Sequence, residues 1–189
     1  MLARIGAWGL VWMATPGAQT RWIDIERSTV TVHFFASETP GMGAAEYVIE
    51  APLAEGSVDD TDTPHLALVI DVQQLRIAEP RRSSEEGRKM YAAMLGPEGL
   101  DAERFSRITY HSLTIDPIET DVWLVQGELQ LQGRFLPLDV RAARHGNRFT
   151  GTTTVLLTDF GTSSTRVAEI AATVDYELRV DFNIVLETP

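Results

Sequence analysis

The chain has 189 residues, no cysteine, and 16 Lys+Arg against 27 Asp+Glu, a formal charge of −11. Such a length supports a sizeable apolar core without disulfides or a structural metal, and the lack of cysteine excludes a disulfide framework, a thiol nucleophile and thiolate metal ligation. The acidic balance argues against nucleic acid, which needs a basic stripe for counterion release, and against adsorption to anionic membrane surfaces.

Residues 1–18, MLARIGAWGLVWMATPGA, place one positive side chain, Arg4, before the apolar run Ile5–Met13 and a stretch of small residues. This is the layout of a secretory signal. Cleavage is expected after Gly17 or Ala18, leaving a single domain over residues 19–189 in the periplasm or outside the cell. The run is short for a bilayer span, and an uncleaved anchor is the alternative.

Beyond the leader the apolar residues recur with period two, the signature of strands. Val30, Val32 and Phe34 alternate with Thr31 and His33, and Leu66, Leu68, Ile70 and Val72 alternate with Ala67, Val69 and Asp71. The pattern breaks over residues 81–105. There Ser83 and Glu86 make a capping box, Met90, Tyr91, Met94 and Leu95 follow at helical spacing, and Gly96-Pro97 ends the helix. A shorter helical turn is expected over Leu100–Arg104.

Alternation then resumes. Trp123, Val125, Leu129 and Leu131 share one phase with Gly127 in the gap, and Leu138 and Val140 flank Asp139. At the C-terminus Val174, Tyr176, Leu178, Val180, Phe182, Ile184 and Leu186 take every even position, with Asp175, Glu177, Arg179, Asp181 and Asn183 between them. At ~3.3 Å per residue this strand would span roughly 43 Å, long enough to demand a bend or a bulge. Turns are marked at Pro40-Gly41, Ala51-Pro52, Thr63-Pro64, Asp116-Pro117 and His145-Gly146-Asn147. Pattern alone leaves sandwich and barrel open.

Four motifs occur in one order: Trp22-Ile23-Asp24 with Ser28; Phe105 to Ser112 (FSRITYHS); Gly127 to Gly133 (GELQLQG) with Pro137; and Asp159-Phe160-Gly161. Together they resemble the YceI-like family of polyisoprenoid-binding, lipocalin-like proteins, over about residues 21–187. The family pattern runs W-x-I-D…S, F-P-x-I-x-F-x-S, G-x-L-x-(L/I)-x-G-x-x-x-P and D-F-G. The resemblance implies an all-β fold, an eight-stranded antiparallel lipocalin-like barrel with a short helical excursion at about residues 83–104, and a possible homodimer. The sequence departs from the family at Arg27, Ser106 and Tyr110, in the Ala/Gly-rich stretch Ala36–Ala45, and at Arg166-Val167-Ala168-Glu169.

Alternation and motif position together nominate a lumen lining. On the early strands it comprises Val30, Val32, Phe34, Leu68 and Ile70, and beside the helix Met90 and Met94, which with Tyr91 would form a lid or simply pack on the barrel end. Further along it takes in Phe105, Tyr110, Trp123 and Val125, and towards the end Phe160, Tyr176, Leu178, Val180 and Phe182. The implied ligand is an isoprenoid lipid or quinone-like molecule held by apolar burial, at about 25 cal/mol per Å². A dry core, an interaction protein with a filled barrel, and an enzyme using Tyr110, His111 or Asp159 in the lumen are the alternatives.

No cofactor is expected. His33, His65, His111 and His145 lack metal-ligand spacing, although His33 and His111 could meet across the sheet. Asp59, Asp60 and Asp62 read as a solvated turn rather than a calcium loop. Asp159-Phe160-Gly161 lacks every other kinase signature, and neither a nucleophile elbow nor a P-loop occurs. Asp24 and Ser28 are expected to stabilise a turn.

Overall fold

The computed structural model describes residues 19–37, 45–60, 64–97, 99–156, 173–174 and 177–188. The strands run β1 (Gln19–Trp22), β2 (Thr29–Ser37), β3 (Ala45–Glu50), β4 (Leu53–Asp60), β5 (His65–Asp71) and β6 (Arg76–Ile77). Helix α1 (Glu85–Leu95) intervenes, followed by β7 (Arg107–Glu119), β8 (Val122–Leu131), β9 (Arg134–His145), β10 (Arg148–Leu156), β11 (Thr173–Val174) and β12 (Glu177–Val185).

The strands form one antiparallel sheet in the order β1-β4-β5-β7-β8-β9-β10-β12-β2-β3-β6, with β11 beside β2. The sheet curves into a half-barrel. The all-β class and the helix are as the sequence implies, but among the described residues eleven strands lie on the path rather than eight. The surplus comes from breaks. Pro52, which has no N–H for a ladder, stands between β3 and β4, and β1 and β6 are short segments added at the two edges. Near the seam, Ile23 bridges Leu186, and the Glu187 amide donates to the Trp22 carbonyl at 2.9 Å.

The expected C-terminal strand is divided. Val174 faces Ala36 while Arg179 faces His33, so the chain advances five residues on one side and three on the other. This register offset accommodates the length that a regular strand would not. A second irregularity lies in β7 between Ser112 and Thr114, where Leu113 is thrown outward to 59% exposure. Ser112 stays buried, and its Oγ accepts the Leu66 amide of β5 at 2.8 Å.

Cross-strand pairing carries the alternation around the sheet, because opposed residues share a face. Val180 opposes Val32, which opposes Ile49; Phe182 opposes Val30. Leu68 opposes Tyr110, Tyr110 opposes Leu129, and Leu129 opposes Leu136. The concave face is therefore apolar from strand to strand. Its fully buried part gathers Val30, Phe34, Tyr47, Ile49 and Ile77 with Val72 and Leu75 from the turn after β5 and Ala102 from the excursion. Phe34 and Tyr47 stack at 5.4 Å between centroids.

The excursion caps differently from expectation. Ser84, not Ser83, is the N-cap, its Oγ accepting the Gly87 amide at 2.9 Å. Ser83 belongs to the preceding 3-10 turn, where its hydroxyl donates to Glu79 at 2.9 Å. A glutamate three residues after the true cap is missing, so half of the reciprocal box cannot form. Gly96 ends α1 as expected. Residues 100–104 form a turn closed by Asp101, which accepts the Arg104 and Phe105 amides, rather than a helical segment. Arg81 ties the excursion to β3, donating to the Glu46 carbonyl at 3.0 Å with its guanidinium 4.8 Å from the Tyr47 centroid.

Candidate functional site

The concave face is the candidate site, and its residues separate into three groups. Val30 and Phe34 lie within the buried cluster, while Val32, Leu68, Ile70, Met90, Met94, Leu178, Val180 and Phe182 pack against it only partly buried. Tyr110 and Val125 are buried on the β7–β8 side, outside that cluster. Phe105 lies apart, under Arg104 at 5.1 Å and against the turn between β8 and β9, where Gln132 and Gly133 both have positive φ. Phe160, Tyr176 and Asp159 fall outside the described residues.

Three inward glycines receive a large neighbour. A Cβ on Gly127 would stand 2.5 Å from the Tyr110 ring, one on Gly151 2.5 Å from Phe182, and one on Gly56 2.8 Å from Ile23. Each glycine thus leaves room for a side chain from the next strand to lie flat on the sheet. The Tyr110 hydroxyl reaches past Gly127 and donates toward the Leu138 carbonyl at 3.0 Å and the Val125 carbonyl at 3.3 Å. Burial, and then the charge of Asp139, pushes the Tyr110 phenol above the ordinary tyrosine range. Held as a neutral donor to two carbonyls, it serves the sheet rather than proton transfer.

At one end of the barrel Trp123 and Phe149 meet edge to face at 5.9 Å, and the Arg144 guanidinium stands 5.9 and 5.8 Å from their respective centroids. The sequence reading found Trp123 but not Phe149, because Phe149 shares its phase with Gly151 and Thr153, which hide the alternation.

The histidines do not converge. His33 lies on the outer face between β3 and β12, its Nδ1 2.9 Å from Glu46 and its Nε2 3.2 Å from Asp181. His111 is exposed on β7. The expectation that the two could meet fails, since β2 pairs with β12 and β3 whereas β7 pairs with β5 and β8. Among the described residues no three His, Asp or Glu side chains are placed to hold a metal ion. Nor is any described helix long and apolar enough to cross a membrane.

Asp24 and Ser28 build the turn into β2. The Asp24 carbonyl accepts the Ser28 amide at 3.0 Å, its carboxylate accepts the Arg27 amide at 3.1 Å, and Ser28 Oγ accepts the Val185 amide at 2.9 Å. This stitches the turn into β2 to the end of β12. A residue that sequence reasoning missed is Arg21. It opposes Val58 and sits two residues from buried Ile23, so it occupies an inward position, and its Nε is buried without a hydrogen-bond partner. The signal was available, because Arg21 shares the phase of Ile23.

The profile of the YceI-like domain matches residues 23–186. The chain belongs to the YceI-like family. Solved structures similar to this YceI-like protein include BcnA of Burkholderia cenocepacia, at 19% identity and TM-score 0.60 over 88% of this chain and 99% of that one. A polyisoprenoid binding domain from Saccharophagus degradans, implicated in plant cell wall breakdown, aligns at 14% identity and TM-score 0.57 over 89% and 98% of the two chains. A Campylobacter jejuni YceI protein aligns at 11% identity and TM-score 0.53 over 71% and 81%. These likenesses concern the fold. No curated protein matches the chain.

Proposed function

We propose that this YceI-like protein is a lipid carrier that holds a long apolar chain, of polyisoprenoid or quinone type, against the concave face of its half-barrel. The observation that carries the reading is the incomplete burial of the inward apolar side chains. Val32, Leu68, Ile70, Leu178, Val180 and Phe182 point to the concavity yet keep solvent-accessible surface. Burying that surface against an all-apolar chain is favourable by about 25 cal/mol per Å². The recognition of a polyisoprenoid by the Saccharophagus degradans domain of the same fold supports the same assignment.

The carrier reading includes export. Residues 1–18 act as a removable signal, and the protein works in the periplasm or outside the cell as a binding protein rather than an enzyme. Among the enzyme candidates, Tyr110 is occupied by two backbone carbonyls and His111 faces outward, which favours passive holding. Titration of the delipidated protein with a long-chain prenyl quinone tests the reading. Saturable binding that Val180→Asp abolishes supports it, and wild-type binding by folded Val180→Asp contradicts it.

A further inference from the structure

Arg21 carries a cation to the inward side of an otherwise apolar seam. Its strand partner Val58 packs on the buried cluster, Val58 opposes Leu66, and Ile23, two residues along, is buried against Gly56 and bridged to Leu186. Trp22, on the opposite face of the same strand, is exposed. Arg134 and Arg144, the other cations at inward register positions, are exposed to solvent. Arg21 differs: its Nε is shielded from solvent and donates to no described group.

A buried guanidinium N–H without an acceptor is costly, because it has lost water and gained nothing. Native interiors rarely leave such a donor unmade unless something else supplies the acceptor. Leucine or valine at this position would pack on Val58 and Leu66 without that cost. The guanidinium is also the group best shaped for a planar oxyanion, through paired N–H donors.

We propose that Arg21 is the head-group receptor of the lumen, and that the ligand class is an amphiphile whose apolar chain ends in an anionic oxygen group, a carboxylate or a phosphate. This rests on the carrier reading and narrows it: the chain lies along the inward apolar rows, and the anionic end sits at the β1–β4 seam. A neutral prenyl alcohol or quinone would use the same apolar surface and leave Arg21 unpaired.

The test compares two probes that differ only in the head. The exported protein, purified and delipidated, is titrated with cis-parinaric acid and with its methyl ester, reading probe fluorescence. Wild type is expected to bind the acid roughly ten- to a hundredfold more tightly than the ester, the span of a charge-assisted hydrogen bond. In Arg21→Leu and Arg21→Gln the acid should fall to the affinity of the ester, while ester binding stays as in wild type. Displacement of the probe by farnesyl phosphate but not by farnesol would extend the receptor to phosphates; preference for the fatty acid alone would confine it to carboxylates.

Equal binding of acid and ester by wild type, or a preference that survives in Arg21→Leu, overturns the inference and leaves the carrier reading standing. Failure of wild type to bind either probe or a long-chain prenyl quinone removes the carrier reading itself. Melting curves of the variants secure the comparison, and Arg21→Leu should melt no lower than wild type without ligand, since it removes a shielded N–H that has no acceptor.

Discussion

The Tyr110 ring lies across Gly127 of the neighbouring strand and its hydroxyl donates to the Leu138 carbonyl one strand further on, 3.0 Å away. One side chain therefore spans β7, β8 and β9 on the concave face. A methyl group at position 127 would collide with the ring and with the His111 carbonyl, each at 2.5 Å. Backbone on one side and a pinned ring on the other leave little room to relax. Gly127→Ala is expected to destabilise the fold by about 1–3 kcal/mol, the range of overpacked sites, measured by denaturant unfolding. A stability equal to wild type would contradict this packing.

Tyr110→Phe tests the hydroxyl separately. The ring still covers Gly127, but the donor to Leu138 and Val125 is gone. A loss of about 1 kcal/mol is expected, without loss of the native circular dichroism.

The raised phenol of Tyr110 has a consequence in alkali. A group whose folded-state pKa lies above its unfolded value contributes stability that is fully present below the unfolded pKa. That contribution is lost as pH rises toward the folded pKa. For tyrosine the loss begins near the ordinary value of about 10. Wild type should lose stability above that pH, and Tyr110→Phe should lose less, as read by urea midpoints across the alkaline range.

Ser84 caps α1 through the Gly87 amide, so Ser84→Ala should cost about 1 kcal/mol. Ser83→Ala touches the adjacent turn instead, where the hydroxyl meets Glu79 on the exposed surface. It should cost measurably less in the same thermal melt. The reverse ranking would restore Ser83 as the cap.

These residues also show what the sequence displays and what it conceals. The period-two phase was most legible in β12, where apolar and polar residues alternate, and it survived in β2, β5 and β8 despite Phe35, Val69 and Leu124 on the opposite phase. The register then places Val30, Val32, Leu68, Ile70, Val180 and Phe182 on one face. The strand number was not legible, since β1 and β6 are too short to show a phase of their own and the register offset beyond Val174 divides a C-terminal segment that reads as continuous. The cap moved by one residue because two adjacent serines offer equivalent side chains, and they are separated only by their partners: Ser83 Oγ donates to Glu79, while Ser84 Oγ accepts the Gly87 amide. Phe105 shows a limit of motif reading. Its place in the motif suggested a lumen residue, while its contacts are with Gly133 and Arg104. Arg21 was overlooked because apolar periodicity weighs only apolar residues.

The most direct measurement of the carrier account is native mass spectrometry of the gently purified exported protein, followed by solvent extraction. The account predicts a polypeptide lacking residues 1–18, carrying a bound mass that extraction releases as a long-chain lipid, and losing that mass in Val180→Asp. A clean unliganded mass, unchanged after incubation with prenyl quinones and long-chain acids, would contradict it.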